Sequence, residues 1–425
     1  MKINNRFNVI KSLLSTYKGA AFFSFYSFIN SALNFVLLLS IANLLSSTGY
    51  GELNLYTTLV TLLGFFISLN SAGYISTVFF YKRKESIRKL INVCIILTTI
   101  VLIFYFFILT VCSCFKDTIF NIPILYAMIA GVVCYSQLFT TIILDIWRLE
   151  SNLKNYGLFS CSVVVFRVLL TIIIIKISDN WVGFPISQFI ITLMAAICAI
   201  LFLIHKDYLK CELPSKKEFL ETLRFGIPLI PHSISSWIRQ GFDRYVISIY
   251  YPFGIVGEYS LCFNIANIIH ILGLAFNSYF SVFLYKELSK DEHVDESRKK
   301  LRRQTIQITY FFIIVTIIGI FLSKILCPVL FPQYNISLLI LIPLCFSAFF
   351  QSIYYLFVNY LFFFKKTVIL MYITVSISFI HLLLSIFLIK ISVIYAAYIT
   401  LASNALITIL VILYSKKLYS LSIIK

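Results

Sequence analysis

Twelve stretches of mostly apolar residues, each long enough to cross a hydrocarbon layer, fill most of this chain and leave almost nothing from which a water-soluble domain could be built. The first runs from about Ala20 to Leu45 and the last from about Ser392 to Tyr414. A bilayer core about 30 Å thick needs roughly 20 such residues per helix. Inside lipid every backbone N–H and C=O must pair within its own segment, so each stretch is expected to be helical. A mean hydropathy of +0.95 and a 60% hydrophobic share are what many such spans demand. The expectation is an all-α integral membrane protein of about 12 transmembrane helices, with its function located among the helices.

Lysine and arginine fall unevenly on the connectors, and basic residues near helix ends are held on the cytoplasmic side. The N-terminal segment and alternate connectors, among them 82–89, 206–224 and 286–303, carry 28 of the 35. The opposite side carries Lys116, Lys176, Lys324 and Lys390. Both termini are therefore expected in the cytoplasm, which requires an even number of spans. This topology, with attraction to anionic lipid, accounts for the net charge of +18, and no nucleic-acid partner is expected. The first apolar run exceeds the roughly 7–15 residues of a secretory signal core, so it is expected to stay as an anchor. Ten cysteines scattered mostly within spans read as small core residues, not as a metal centre. No nucleotide-binding Gly-x-x-x-x-Gly-Lys-Ser/Thr loop occurs, and no cofactor or metal is expected.

The hydrophilic stretch 205–225 separates six spans from six, so the chain divides into an N-terminal lobe, 1–204, a cytoplasmic linker, 205–225, and a C-terminal lobe, 226–425. The halves are alike. At an offset of 206 residues Tyr50-Gly51-Glu52-Leu53 falls on Val256-Gly257-Glu258-Tyr259, Asn30 on Ser236 and Asn34 on Gln240. Two copies of a six-helix unit insert the same way up, so two parallel lobes around a central cavity are the expected architecture.

Polar residues inside spans cost free energy in lipid and turn toward the protein interior. The first span has Ser27, Asn30, Ser31 and Asn34 on one face; the seventh has His232, Ser236, Arg239, Gln240 and Asp243; the eighth has Ser260, Asn264, Asn267 and His270. Each stripe either joins helices by hydrogen bonds or lines a polar cavity. Three arginines lie deep in spans: Arg167, Arg239 and Arg244. Arg167, about 15 Å along its helix, is close to the midplane, where an arginine costs at least about 2.5 kcal/mol. It either faces water or an anion, for which guanidinium supplies paired donors, or pairs with backbone carbonyls or a carboxylate such as Asp145. Arg239 and Asp243, four apart, can satisfy each other; alternatively Asp243 binds a coupling ion, with His232 a second candidate for coupling or gating.

The run Phe225-Gly226-Ile227-Pro228-Leu229-Ile230-Pro231-His232, through Trp237, Asp243-Arg244-Tyr245 and Val256-Gly257-Glu258-Tyr259, resembles the seventh- and eighth-span signature of the polysaccharide-exporter flippases that move O-antigen repeat units. Leu44-Leu45-Ser46 and Gly49-Tyr50-Gly51-Glu52 are similar to the same family's first loop. That resemblance, within the superfamily of multidrug, oligosaccharidyl-lipid and polysaccharide exporters, implies a non-enzymatic transporter of the bacterial inner membrane. Its implied substrate is an undecaprenyl-pyrophosphate-linked oligosaccharide carried by alternating access from the cytoplasmic to the periplasmic leaflet, with polymerase and chain-length proteins as pathway partners. The expected substrate contacts are Arg167, Arg239, Arg244, Asn30, Asn34, Trp237, Gln240 and Asn264. A membrane-embedded O-antigen polymerase and another exporter of the superfamily are the alternatives; the short outer loops disfavour the first, and the lack of an acidic residue in the first span disfavours a cation-coupled drug exporter.

Overall fold

The computed structural model describes residues 22, 25, 26, 28–210, 212–289 and 294–419. In chain order the helices are α1 (Phe28–Leu44), α2 (Ser47–Ser68), α3 (Ala72–Val78), α4 (Lys84–Ser113), α5 (Ile124–Leu149), α6 (Leu153–Ser178), α7 (Gly183–His205) and α8 (Lys216–Gly226). There follow α9 (Leu229–Trp237), a single π-helical turn (Ile238–Phe242), α10 (Asp243–Tyr250), α11 (Phe253–Leu288), α12 (Val294–Leu330), α13 (Leu338–Phe363), α14 (Thr367–Leu388) and α15 (Ile394–Tyr419).

Nine of these helices have the length and apolarity to cross a membrane, and the pair α2–α3, bent by 55°, counts as a tenth when taken as one span. Two further segments complete the expected twelve among the described residues. One is α1, a shorter apolar helix. The other is the run α9–π turn–α10, whose polar stripe lowers its hydropathy. The bend between α2 and α3 lies at Leu69 and Asn70, both with positive φ (48° and 50°). Asn tolerates that left-handed backbone, and the Ser68 hydroxyl accepts the Asn70 N–H at 3.2 Å.

One feature lay outside the sequence expectation. Between α4 and α5 the chain forms a two-stranded hairpin, β1 (Thr118–Ile119) and β2 (Ile122–Pro123). Its two turn residues, Phe120 and Asn121, have φ of 51° and 62°, as the primed two-residue turns require.

The described chain gathers into two compact units. Of the described residues, one holds those up to 37 together with those within 59–178 and 182–230; the other holds 38–58, 179–181 and those from 231 onward. In the first, α5 is the central helix, with 56% of its apolar window buried, against 22% for α4 and α6. Its inward face packs Leu138, Phe139, Ile142, Ile143 and Ile146 against α4, α7 and α3 in one cluster. In the second, α11, α13 and α15 form the centre, each half buried, whereas α12 has only 17% of its window covered.

Amphipathic α8 begins with a capping box: the Ser215 hydroxyl accepts the Glu218 N–H, and the Glu218 carboxylate accepts the Ser215 N–H. The helix is tied to α3 and the loop after it by Glu221, which accepts from Lys82 at 2.7 Å and from Tyr74 at 3.0 Å.

The repeated Gly-Glu motif is a contact. Within the second unit, α2 and α11 cross at Gly51 and Gly257. A Cβ on Gly51 would overlap the Phe253 carbonyl, and one on Gly257 would overlap the Ser47 carbonyl. Glycine at both positions lets the two backbones meet, the device by which membrane helices pack without a hydrophobic driving force.

Candidate functional site

The seventh-span stripe is interrupted by the π turn, which inserts one residue between α9, carrying His232 and Ser236, and α10, carrying Asp243. Such single turns are common at functional positions because they re-aim the side chains that follow. Arg239, 9% exposed, points from this turn into the second unit. Its Nη1 donates to the Ser235 carbonyl at 2.9 Å and the Thr374 carbonyl at 3.4 Å, and to the Ser378 hydroxyl. Asp243 begins α10 and is 3% exposed. Its Oδ1 accepts from the Ser385 hydroxyl at 2.7 Å and lies 3.2 Å from His381 Nε2. Its Oδ2 accepts from Thr400 at 2.8 Å and from Tyr259 at 3.2 Å. The four-residue spacing of Arg239 and Asp243 therefore does not produce an ion pair: α14 supplies partners to both, and a single helix read alone does not reveal them.

Arg244 is likewise held by its surroundings. Its Nε donates to Ser260 at 3.1 Å, its Nη1 to the Gln240 carbonyl at 2.6 Å, and its guanidinium lies 4.5 Å from the centre of the Phe263 ring. Asn264 Nδ2 donates to the Tyr50 hydroxyl at 2.8 Å and to Asn54 Oδ1 at 3.2 Å. Trp237 Nε1 donates to the Thr58 carbonyl at 3.0 Å, and its ring lies 5.9 Å from that of Tyr245. His232 is exposed at the start of the span, in α9, and is not among the groups that contact the Asp243 carboxylate.

A small cavity of about 20 Å³ with several polar side chains in its wall lies inside the second unit. Arg239 and Gln240 form one wall, Asn267 and His270 of α11 another, and Gln351 of α13 and Asn404 of α15 the rest, with Phe263, Ala266, Leu344 and Ala348 between them. His270 is fixed by Asn267 Oδ1 at 2.9 Å on Nδ1 and by the Tyr355 hydroxyl at 2.7 Å on Nε2. Gln240 donates to Ser236 at 3.1 Å. The eighth-span stripe thus divides: Ser260 and Asn264 join helices, whereas Asn267 and His270 face the cavity.

The remaining candidates lie in the first unit. Arg167 of α6 is half buried and its Nη2 donates to Asn34 Oδ1 of α1, while its Nε is buried with no partner among the described residues. Asn30 Oδ1, one helical turn away, is also buried and without a partner there. Asp145 is not the partner of Arg167; it pairs with Arg148 at 2.7 Å and accepts from Ser76 at 3.3 Å. Ser27 lies outside the described residues. Among the described residues no three His, Cys, Asp or Glu side chains group in a way that holds a metal ion.

The sequence reading missed His381, Ser385, Thr400 and Ser403. A signal for the first two was present. Thr374, Ser378, His381 and Ser385 recur at helical spacing on one face of an otherwise apolar span, and all four are buried in the structure.

Comparisons with known proteins agree with this architecture. The family described as polysaccharide biosynthesis protein (Polysacc_synt) matches residues 16–285. A protein of the Lsg locus of Haemophilus influenzae is 24% identical over 275 residues, 63% of this chain. The matched region spans 65% of the length of that curated relative. Among solved structures, the lipid II flippase MurJ in its inward closed conformation aligns with a TM-score of 0.71 at 17% identity, over 93% of this chain and 89% of that one. An inward-facing multidrug resistance MATE family transporter of the MOP superfamily aligns at 0.66 and 14% identity, over 92% and 94%. A MOP superfamily transporter from Pyrococcus furiosus, described as having a binding pocket of reversed polarity, aligns at 0.56 and 14%, over 96% of both chains. At these identities the structures establish a shared multi-pass helical fold.

Proposed function

This chain belongs to the polysaccharide biosynthesis protein family, and we propose that it is a flippase for undecaprenyl-pyrophosphate-linked O-antigen repeat units, which it moves from the cytoplasmic to the periplasmic leaflet. The observation that carries this reading is the cavity bearing Arg239, Gln240, Asn267, His270, Gln351 and Asn404 among helices of membrane-spanning length. Polar side chains within spans are turned inward, toward partners or water, and commonly mark a substrate path. Amide, imidazole and guanidinium groups are the partners that sugar hydroxyls and phosphate oxygens require. As it stands the cavity is about 20 Å³, room for about one water molecule, so it admits a sugar or phosphate group of the repeat unit only when the helices around it move apart. The lipid tail stays in the bilayer.

Movement is by alternating access, the polar interior opening to one side of the membrane and then the other. The protein breaks no bond in the substrate. Its place is the bacterial inner membrane with both termini cytoplasmic, as the 28 basic residues on one side support. Polymerase and chain-length proteins act after it on the same product. In the first unit Arg167, with Asn34 and Asn30, provides a second cationic and amide group for the passing headgroup; their buried unpartnered atoms, Arg167 Nε and Asn30 Oδ1, support this.

A deletion strain tests the reading. It is expected to accumulate lipid-linked repeat units on the cytoplasmic face and to lose surface polysaccharide. Wild-type protein restores display, whereas Arg239→Ala and Arg167→Ala restore it poorly while reaching the membrane in normal amount. Accumulation on the periplasmic face would instead favour the polymerase reading.

A further inference from the structure

We infer that the first unit holds a binding site of its own, a cavity that takes one uncharged sugar ring. The inference rests on the transport reading for the source of that sugar, the lipid-linked repeat unit, but its geometry and its test stand apart from transport. The cavity has a volume of about 430 Å³, within the usual span for small-ligand sites. It is bounded by α2, the bend after it, α3, α5 and the junction of α8 with α9.

The bend makes the space. Helices α2 and α3 part by 55° at Leu69 and Asn70, and the end of α8 closes against them. Gly226 fits there because it has no Cβ; one would overlap the Leu69 carbonyl. Phe225, one residue earlier, stands beside Gly73 and lies 5.5 Å from the Tyr74 ring. The other wall is a stripe on α5: Gln137, Thr141 and Asp145 are spaced by four and share one face over about 12 Å.

These groups have hydrogen-bonding capacity left over. Asp145 accepts from Arg148 at 2.7 Å on Oδ1 and from Ser76 at 3.3 Å on Oδ2. A carboxylate offers about four acceptor positions, so it can take further donors. The Thr141 hydroxyl donates to the Gln137 carbonyl at 2.8 Å and keeps its oxygen as an acceptor. Asn70 Nδ2 is buried with no partner among the described residues. An amide left so is costly, and an acceptor on a ligand relieves it.

The lining also selects the class of ligand. Among the described residues of the wall Asp145 alone carries a charge, and Arg148 balances it. A phosphate or pyrophosphate needs cationic donors, and this wall presents a carboxylate instead. A hydrocarbon chain is no better suited, since it would take water from Asn70, Gln137 and Asp145 without replacing the hydrogen bonds. A neutral pyranose satisfies both parts of the lining. Its hydroxyls donate to the carboxylate and accept from the amides, and its C–H faces have Phe65, Leu138 and Phe225 to pack on.

Gly64 offers a way to fill the cavity, because a Cβ built there meets nothing within 4 Å. Full-length protein in nanodiscs is mixed with the methyl glycosides of glucose, galactose, mannose and N-acetylglucosamine, and binding is read by saturation-transfer NMR. Transfer to at least one glycoside is expected, without competition from inorganic pyrophosphate. Gly64→Trp abolishes it, whereas Gly319→Trp, equally bulky and placed in open space on α12 of the other unit, retains it. Should Gly64→Trp fail to fold, Gln137→Leu keeps the bulk, removes the amide and weakens binding about tenfold. The inference is overturned if no glycoside receives saturation or if pyrophosphate competes, which would make the site an anion site. It is equally overturned if folded Gly64→Trp or Gln137→Leu binds as the wild type does, or if Gly319→Trp loses the signal too. Absence of glycoside binding, with lipid-linked repeat units still accumulating in the deletion strain, removes the site and leaves the flippase reading standing; binding without that accumulation does the reverse.

Discussion

At Gly51 and Gly257 the absence of a side chain decides whether two helices can touch. Gly257→Ala places a methyl group against the Ser47 carbonyl, which neither backbone can relieve without separating. The substitution is expected to cost about 1–3 kcal/mol, the usual scale for overpacking a tight contact, and to lower the thermal midpoint of the purified protein. Both glycines were visible in the sequence as equivalent positions of a repeat. Their contact with each other was not, because a repeat says that two segments are alike without saying that they meet. The same limit applies to Arg239 and Asp243. Their spacing on one helix suggested a pair, but the hydroxyls and imidazole of α14 compete better for both. Arg167 was found by depth alone, whereas its partner Asn34 was recognised only as part of a stripe.

Among the elements, α8 shows how a segment expected to be a linker acquires structure. Lys216 to Gly226 is too polar to cross a membrane, and the sequence reading left it as a connector. Its capping box and the bonds of Glu221 instead fix it as a helix against α3. Hydrogen bonds from Lys82 and then Tyr74 hold the Glu221 carboxyl below its ordinary value of 4.5. Because the folded form favours the charged carboxylate, this contribution is fully present above the ordinary value and is lost as pH falls through the lower folded one. Exchange protection of α8 is therefore expected to fall selectively in that acidic window, by a small amount because the pair is partly exposed. Glu221→Gln should show reduced protection already at neutral pH. The apolar spans, by contrast, were legible because lipid permits little besides a helix. Polar α9–α10 was placed through its motif, and its π turn left no mark in the residue pattern.

For the whole molecule the proposed orientation rests on charge, and one side chain can report it. Cys114 is exposed at the end of α4, on the side that carries few basic residues. In a variant with the other cysteines replaced, a membrane-impermeant thiol reagent added to cells with a permeabilised outer membrane is expected to label Cys114 without lysis. Labelling only after lysis would reverse the proposed topology. At this scale the number of spans and the family were accessible from hydropathy and a few motifs, since both depend on local composition. The cavity and the carboxylate nest were only half accessible, since α13, α14 and α15 contribute residues that gain meaning through packing. The π turn carries a further consequence. A regular α-helix of the same sequence would leave Asp243 about 100° out of phase with the side chains of α9, so the seventh span holds one surplus residue that it could lose without rotating either of its ends.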